Sequence, residues 1–306
     1  MRQIALVSTL GALLLLAGCN TTKWNMFRGT EQQRDLGPQV TPTAAALVNY
    51  LNANSDLVQS VRCDQLDLQC RQGIKPGVGA TGKLVCQKPL NLRMSAYVFG
   101  KQEIDLGSNS QEFWYWIARG DPYQFHCSYK ALSEGRVRQL PFPFQPDWIL
   151  EAMGLARFGP ADRYQVVQRR DTIELVERTR SPQGKPVRKV TVFRSVRAPA
   201  GSPQVVAHLL LDDTTGKEIC SATITHVQMV QADRQNKVEV PRKMVLNWPD
   251  AKIQLSLTLD DVTVNGEISR PDLLFTRRPL TNVKSFDLAE WRVDSGAIRQ
   301  VEGQVR

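Results

Sequence analysis

The sequence predicts an α+β fold that is mostly β: one large, curved, antiparallel sheet accompanied by two short helices. Three observations carry this. From residue 161 to 265 about seven strand-like runs follow one another, parted by turn signals such as "SPQGKP", "APAGSP", "DDTTGK" and "NWPDA". No helical pattern interrupts them, and strands joined without long crossovers pair antiparallel. Apolar residues recur at helical spacing in two other stretches, near 43–54 and 147–157. No linker-like composition flanks the second helix, so the strands on either side of it belong to one domain.

The N-terminus stands outside that fold. After Met1-Arg2-Gln3 the chain runs "IALVSTLGALLLLAG", an apolar stretch too short for an ordinary membrane span, and ends in "LAGC". This resembles the bacterial lipobox, with small residues at Ala17 and Gly18 and the lipid-accepting thiol at Cys19. Residues 1–18 are therefore read as a signal peptide and Cys19 as the lipidation site. Several acyl chains there suffice for stable anchoring. Asn20 follows the cysteine where an Asp would resemble an inner-membrane retention signal, which points to the outer membrane, facing the periplasm. Residues 19–42 are polar with little periodicity and read as a lipidated tether.

The elements then follow in order. In "TPTAAALVNYLNANS", Ala44, Leu47, Val48 and Leu51 make an apolar stripe, and Pro42 suits a first helical turn. In "VRCDQLDLQC", Val61 and Cys63 share one phase and Leu66, Leu68 and Cys70 the other, so a bulge is expected near Asp64–Gln65. Past a Gly-rich break, "KLVCQKPLNLRMSAYVF" alternates as one span, with Leu84, Cys86, Leu90, Leu92, Met94, Ala96 and Val98 on one face. "QEIDLGS", "EFWYWIA" and "YQFHCSYK" read as further strands; in the last, Tyr123, Phe125, Cys127 and Tyr129 share a face. Phe113-Trp114-Tyr115-Trp116 places rings on both faces, so that strand is expected to be covered on both sides. Which pair points inward stays open. "PDWILEAMGLARFG" gives the second helix, with Trp148, Ile149, Ala152, Met153 and Ala156 in a stripe and Asp147 at its positive end.

Composition narrows function. The formal charge is +9, or +8 without Arg2, and the basic residues are scattered rather than set on one helix. This suits a basic soluble surface or attraction to anionic lipid headgroups; no nucleic-acid motif appears. Six cysteines leave five once Cys19 is lipidated, an odd number that leaves at least one thiol unpaired. Cys63 and Cys70 lie roughly 23 Å apart on a continuous strand, too far to bridge; a cross-strand partner such as Cys86 or Cys127 stays open. No CxxC occurs and His126, His208 and His226 are dispersed, so neither a metal nor a cofactor is expected. No G-x-S-x-G, H-E-x-x-H or P-loop is present, and the adjacent Asp212-Asp213 and Asp260-Asp261 point to opposite strand faces, so an enzyme is not expected.

The element order, with "GKLVCQKPLNLR", "DLGSNSQEFWYWI" and "VPRKMVLNWPDAKIQLSLTLDDVTVNGEISRPDLLF", resembles the LolA/LolB/LppX-like periplasmic lipoprotein-carrier superfamily over residues 43–276. The resemblance implies an unclosed β-barrel wrapped around a hydrophobic cavity, with helices covering the concave side as a lid. It implies acyl chains or lipidated proteins as ligands and lipoprotein sorting or lipid transfer as the process. On that reading the cavity candidates are Leu84, Leu90, Leu92, Met94, Phe113, Tyr115, Ile253, Leu255 and Leu257. The lid candidates are Leu47, Leu51, Trp148, Ile149 and Met153. Arg93 falls opposite Leu92 and Met94 and is expected to face outward in a structural role. "LPFPFQP", with Phe142 and Phe144, stands either for a protruding apolar loop or for a buried lead-in to the helix. Residues 277–306 lie beyond the resemblance and read as a C-terminal extension with one weak apolar set, Phe286, Leu288, Trp291 and Val293, either docking a short segment or disordered. The competing class is a tethered envelope sensor or scaffold that uses the same fold to bind a protein partner.

Overall fold

The computed structural model describes residues 41–73, 77–118, 123–137, 140 and 144–290. The signal peptide, Cys19, nearly all of the tether, Phe142, Trp291 and Val293 lie outside the described residues. The described residues from 41 to 290 belong to one compact unit, and both core clusters are built from within it.

Helix α1 (Ala44–Ser55) starts at Thr43, whose hydroxyl accepts from Ala46 N–H at 3.2 Å. Six strands follow: β1 (Ser60–Gln72), β2 (Val78–Gln87), β3 (Asn91–Val98), β4 (Lys101–Ser108), β5 (Glu112–Ile117) and β6 (Tyr123–Ser128). Helices α2 (Tyr129–Ser133) and α3 (Pro146–Ala152) interrupt them. The second run is β7 (Tyr164–Gln168), β8 (Thr172–Arg180), β9 (Pro186–Arg194), β10 (Val205–Asp212), β11 (Glu218–Gln231), β12 (Lys237–Trp248) and β13 (Ile253–Val264). Helix α4 (Pro271–Leu274) and β14 (Lys284–Asp287) are the last elements among the described residues.

Among the described residues all fourteen strands belong to one sheet, in the order β14-β6-β5-β4-β3-β2-β1-β13-β12-β11-β10-β9-β8-β7. Two antiparallel meanders therefore run outward from a shared seam, the β1–β13 ladder. The ends, β14 and β7, do not pair, so the sheet is open, as expected. The bulge in β1 is where the phase slip put it, with the β2 register shifting between Cys63 and Leu66.

Several expectations are corrected. The span 83–99 is two strands, not one. Residues 88–90 form the turn, the Lys88–Pro89 bond is cis, and Leu90 is half-buried in that turn rather than on the sheet face. Hairpin pairing still keeps Leu84 opposite Met94 and Cys86 opposite Leu92, so the apolar phase survives the turn. The strand expected to run through Tyr129 ends at Ser128, whose hydroxyl accepts from Ala131 N–H and so starts α2. The second helix stops at Ala152 rather than 157. Gly154 adopts φ +79° just beyond it, a left-handed conformation that ends helices. Of the two readings of the C-terminal extension, the docked segment is the one present over residues 277–290: β14 pairs in parallel with β6, and Leu288 is buried. Cys63, Cys86, Cys127 and Cys220 are free thiols, so no cross-strand bridge joins Cys63 to Cys86 or Cys127. Burial pushes the Cys63 and Cys127 thiols up to about 11.

One face of the sheet carries the core. Leu66, Leu84, Leu92, Met94, Leu246, Leu255 and Leu259 are fully buried there, in one cluster with α3, whose Trp148 meets Trp248 edge-on at 6.1 Å. Near the other end α1 sets Leu47 and Val48 against Ile173, Leu175, Phe193 and Val205. Both helices thus cover the same face.

The four-ring strand is covered on both sides. Phe113 and Tyr115 point into the core, each about 6 Å from Phe144. Trp114 points to the opposite face and lies beneath Arg93, 5.4 Å from its ring centre. Arg93 pairs with the buried Asp105 at 2.7 Å, so it is structural, as its phase indicated. Gln124 bonds Asp105 and the carbonyl of Arg278, and Asn109 bonds the carbonyl of Phe275. The segment after α4 therefore covers this outer face.

Candidate ligand cavity

The site is built by the way α1 is tied down. Its last turns carry two asparagines that each bond a distant backbone at two points. Asn52 Nδ2 donates to Phe158 O and its Oδ1 accepts from Phe158 N–H, at 3.1 and 2.8 Å. Asn54 does the same to Glu239, at 3.0 and 2.8 Å. The amide side chain mimics the donor and acceptor of a neighbouring strand, which satisfies backbone groups on an element α1 does not otherwise pair with. Lys88 Nζ adds a bond to the Ser55 carbonyl at 2.6 Å. Gly154 makes room for this: a Cβ there would sit 3.3 Å from Asn54 Nδ2.

Asn54→Ala is expected to leave the Glu239 N–H and C=O unpaired and to cost about 1–3 kcal/mol. Hydrogen exchange should then speed by about tenfold or more at Glu239 and the last turn of α1, with β1 unchanged. Unchanged exchange at Glu239 would mean that the clip does not hold the helix.

Between the clipped end of α1, residues 151–158 and β10–β12 lies a cavity of about 300 Å³. Its walls include Leu51, Ala152, Ala156, Val205, Ile224 and Val240, with Tyr50, Lys237 and Glu239 towards solvent. A larger groove of about 770 Å³ runs along the other side of α1, bounded by Leu47, Ile173, Phe193 and residues 194–202. The two spaces share Tyr50, Val227 and Glu239. Tyr50 stands between them, half exposed, with its ring 6.2 Å from Phe193.

One buried part of the cavity wall is polar. Glu151 and His208 line it and are 9% and 4% exposed. Glu151 projects from α3 and bonds Lys189 Nζ of β9 at 3.1 Å; Asp147 stands 3.7 Å from the same ammonium. His208 Nδ1 of β10 lies 3.5 Å from Glu151 Oε1. Lys189 faces Glu177 on one side and Leu210 on the other across the ladder, and His208 faces Thr191 and Ala222. A polar patch therefore interrupts the apolar face under α3. Burial alone would raise the Glu151 carboxyl. Lys189 and His208 together outweigh it and hold the group at about 2, so it is ionised. Burial likewise opposes the Lys189 charge, yet Glu151 and Asp147 raise its pKa overall.

The expected cavity residues are placed differently from the reading. Leu84, Leu92, Met94, Phe113, Tyr115, Ile253, Leu255 and Leu257 are all in the packed core, together with Trp148, Ile149 and Met153. α3 contributes Trp148, Ile149, Leu150 and Ala152 to the same cluster. Of the lid candidates, Leu51 lines the cavity and Leu47 the groove. Apolar periodicity does not single out Glu151, Lys189 and His208. Their signal was a polar residue in an apolar phase: Glu151 inside the Trp148–Met153 stripe, His208 inside "VVAHLLL", Lys189 inside "VRKVTVF". Phe144 is a buried lead-in, so the protruding-loop alternative fails for it. A fully exposed aromatic does occur elsewhere, Phe99 at the β3–β4 hairpin tip, with φ +48°.

Among the described residues no group of His, Cys, Asp and Glu could hold a metal ion, and no helix is long and apolar enough to cross a membrane. No family model matches the chain, and no curated protein matches it. Solved structures do. A putative outer membrane lipoprotein-sorting protein domain from Vibrio parahaemolyticus is 9% identical with a TM-score of 0.45, covering 74% of this chain and 94% of that one. A LolA superfamily protein from Nitrosomonas europaea is 8% identical with a TM-score of 0.36, covering 78% and 99%. The lipoprotein LppX of Mycobacterium tuberculosis is 11% identical with a TM-score of 0.29, covering 74% and 98%. At such values the likeness carries nothing about ligand or activity. The chain is similar to these LolA- and LppX-type structures, while its own architecture rests on the open strand order and the helices over one face.

Proposed function

We propose that this is a lipid-anchored cell-envelope protein, held through Cys19 and facing the periplasm from the outer membrane. Residues 1–18 act as signal peptide and 19–42 as tether. The domain takes an acyl chain, of a lipid or of a lipidated protein, in lipoprotein sorting or lipid transfer. The observation that supports this reading is the pair of apolar-walled spaces on either side of α1. Each methylene moved into them from water contributes about 0.8 kcal/mol, so a chain of a dozen carbons gains affinity without any polar contact. Binding and release need movement of α1 and no covalent step. The deeper core under α3 is already filled by side chains, so the chain goes to the α1 side.

Native mass spectrometry and solvent extraction of the 41–306 unit test this. Acyl species should co-purify, and the delipidated protein should bind the neutral fluorescent probe N-phenyl-1-naphthylamine. A protein that emerges lipid-free and leaves the probe dark would overturn the reading.

A further inference from the structure

We propose that the cavity under α1 binds a single-chain amphiphile head-first, with an uncharged or cationic hydrogen-bond-donating head (hydroxyl, amide or amine) seated against Glu151 and His208. This rests on the acyl-binding reading above and adds the chemistry of the head.

Polarity comes first. The cavity wall is apolar at Leu51, Ala152, Val205 and Ile224, yet Glu151 and His208 are among its buried members. Polar side chains so deeply buried are ordinarily satisfied by hydrogen bonds. His208 Nδ1 is not: it stands 3.5 Å from Glu151 Oε1 without the alignment of a hydrogen bond, and it has no other partner among the described residues. A ligand head with a hydroxyl, amide or amine group can bond both the imidazole and the carboxylate.

Charge selects the head. Glu151 and Asp147 from α3 and Glu177 from β8 surround one ammonium, Lys189, which is already engaged by Glu151 and Asp147. Glu239 adds a carboxylate on the way in, and the one lysine of the lining, Lys237, is exposed at the mouth. A carboxylate or phosphate head would meet unneutralised like charge in low-dielectric surroundings. A donor head meets acceptors. Size sets the pose. About 300 Å³ is the low end for a ligand site, room for a head and the first carbons. The rest of the chain continues past Tyr50 into the groove beside α1.

The test uses four compounds with one dodecyl chain, competing with N-phenyl-1-naphthylamine for the 41–306 unit at neutral pH. 1-Dodecanol and dodecylamine should displace the probe at concentrations about tenfold or more below laurate and dodecyl phosphate. Glu151→Gln should cut dodecylamine affinity by about tenfold, and His208→Leu should weaken dodecanol. If Glu151→Gln fails to fold, the wild-type ranking of the four heads decides alone. Ala156→Trp, at a half-buried wall position, should block all four compounds. Laurate binding as tightly as dodecanol, and blocked by Ala156→Trp, would overturn the head assignment and leave the acyl reading standing. Binding untouched by Ala156→Trp would overturn the site. No binding of any dodecyl compound or of the probe would overturn both readings.

Discussion

Lys189→Met should destabilise the domain by about 3–5 kcal/mol and reverse its response to mild acid. The lysine is the cation that makes a buried Glu151 tolerable; without it a carboxylate remains under α3 beside Asp147 and Glu177, with only His208 near. In the wild type the Glu151 carboxyl is held at about 2, below its ordinary value of 4.5. A carboxyl lowered on folding adds stability that is present above about pH 4.5 and disappears as pH falls towards 2; here that is about 3 kcal/mol. Lys189 is raised, so its own share is present below about pH 10.4 and is lost only above it. In Lys189→Met burial wins and the Glu151 carboxyl rises above its unfolded value. Protonation then favours the folded state, so the variant should gain stability between pH 7 and 5. Urea unfolding at both pH values checks this. A loss under about 1 kcal/mol at pH 7, or no gain on acidification, would show that Glu151 is not held by Lys189.

Gly107→Ala should cost about 2–3 kcal/mol, the upper part of the overpacking range. A Cβ at residue 107 would lie 2.1 Å from Trp114 Cζ2 and 2.3 Å from Cε2. The indole lies flat on the strand because its cross-strand neighbour has no side chain. It has nowhere to retreat: it is fully buried, Arg93 covers its ring, and Asp105 fixes Arg93. The clash is therefore with a ring that cannot yield. Trp114→Phe removes part of the obstructing ring, so the double variant should be less destabilised than the sum of the two single changes. A Gly107→Ala protein with the wild-type urea midpoint would mean that the outer layer is loosely packed.

Much of the fold was legible locally. The stripe Ala44, Leu47, Val48, Leu51 is the face of α1 that packs on the sheet. The phase slip after Cys63 is the bulge, and the seven strand runs between 161 and 265 are β7–β13. Period and turn chemistry suffice for these because each depends on neighbours within a few residues. Boundaries set by a single capping contact were harder. Ser128 turns the chain into α2 through its bond to Ala131 N–H, and Gly154 stops α3 through its backbone angle. Neither changes the apolar pattern.

The cavity was not legible, for a different reason. A strand's apolar face reads the same whether it lines a space or packs under a helix. Leu84, Leu92 and Leu255 share one packed cluster with the apolar side of α3, and that cluster joins residues far apart in the sequence. The cavity exists where α1 is held by Asn52 and Asn54, through bonds to residues more than a hundred positions distant.

By itself the sequence determined the class of the fold, the strand phases and the sidedness of α1, because these follow from short-range periodicity. It also marked Phe113–Trp116 as covered on both faces, and the expected covering of each face is present. Only the tertiary structure decided which pair points inward. Phe113 and Tyr115 do, because Phe144, just ahead of α3, supplies an apolar partner there. Trp114 turns out, because the segment after α4 covers Arg93 and Asp105 on the other side. The same holds for Glu151, Lys189 and His208. Each is one polar residue in an apolar run, and they become a cluster only when α3 is laid across β9 and β10.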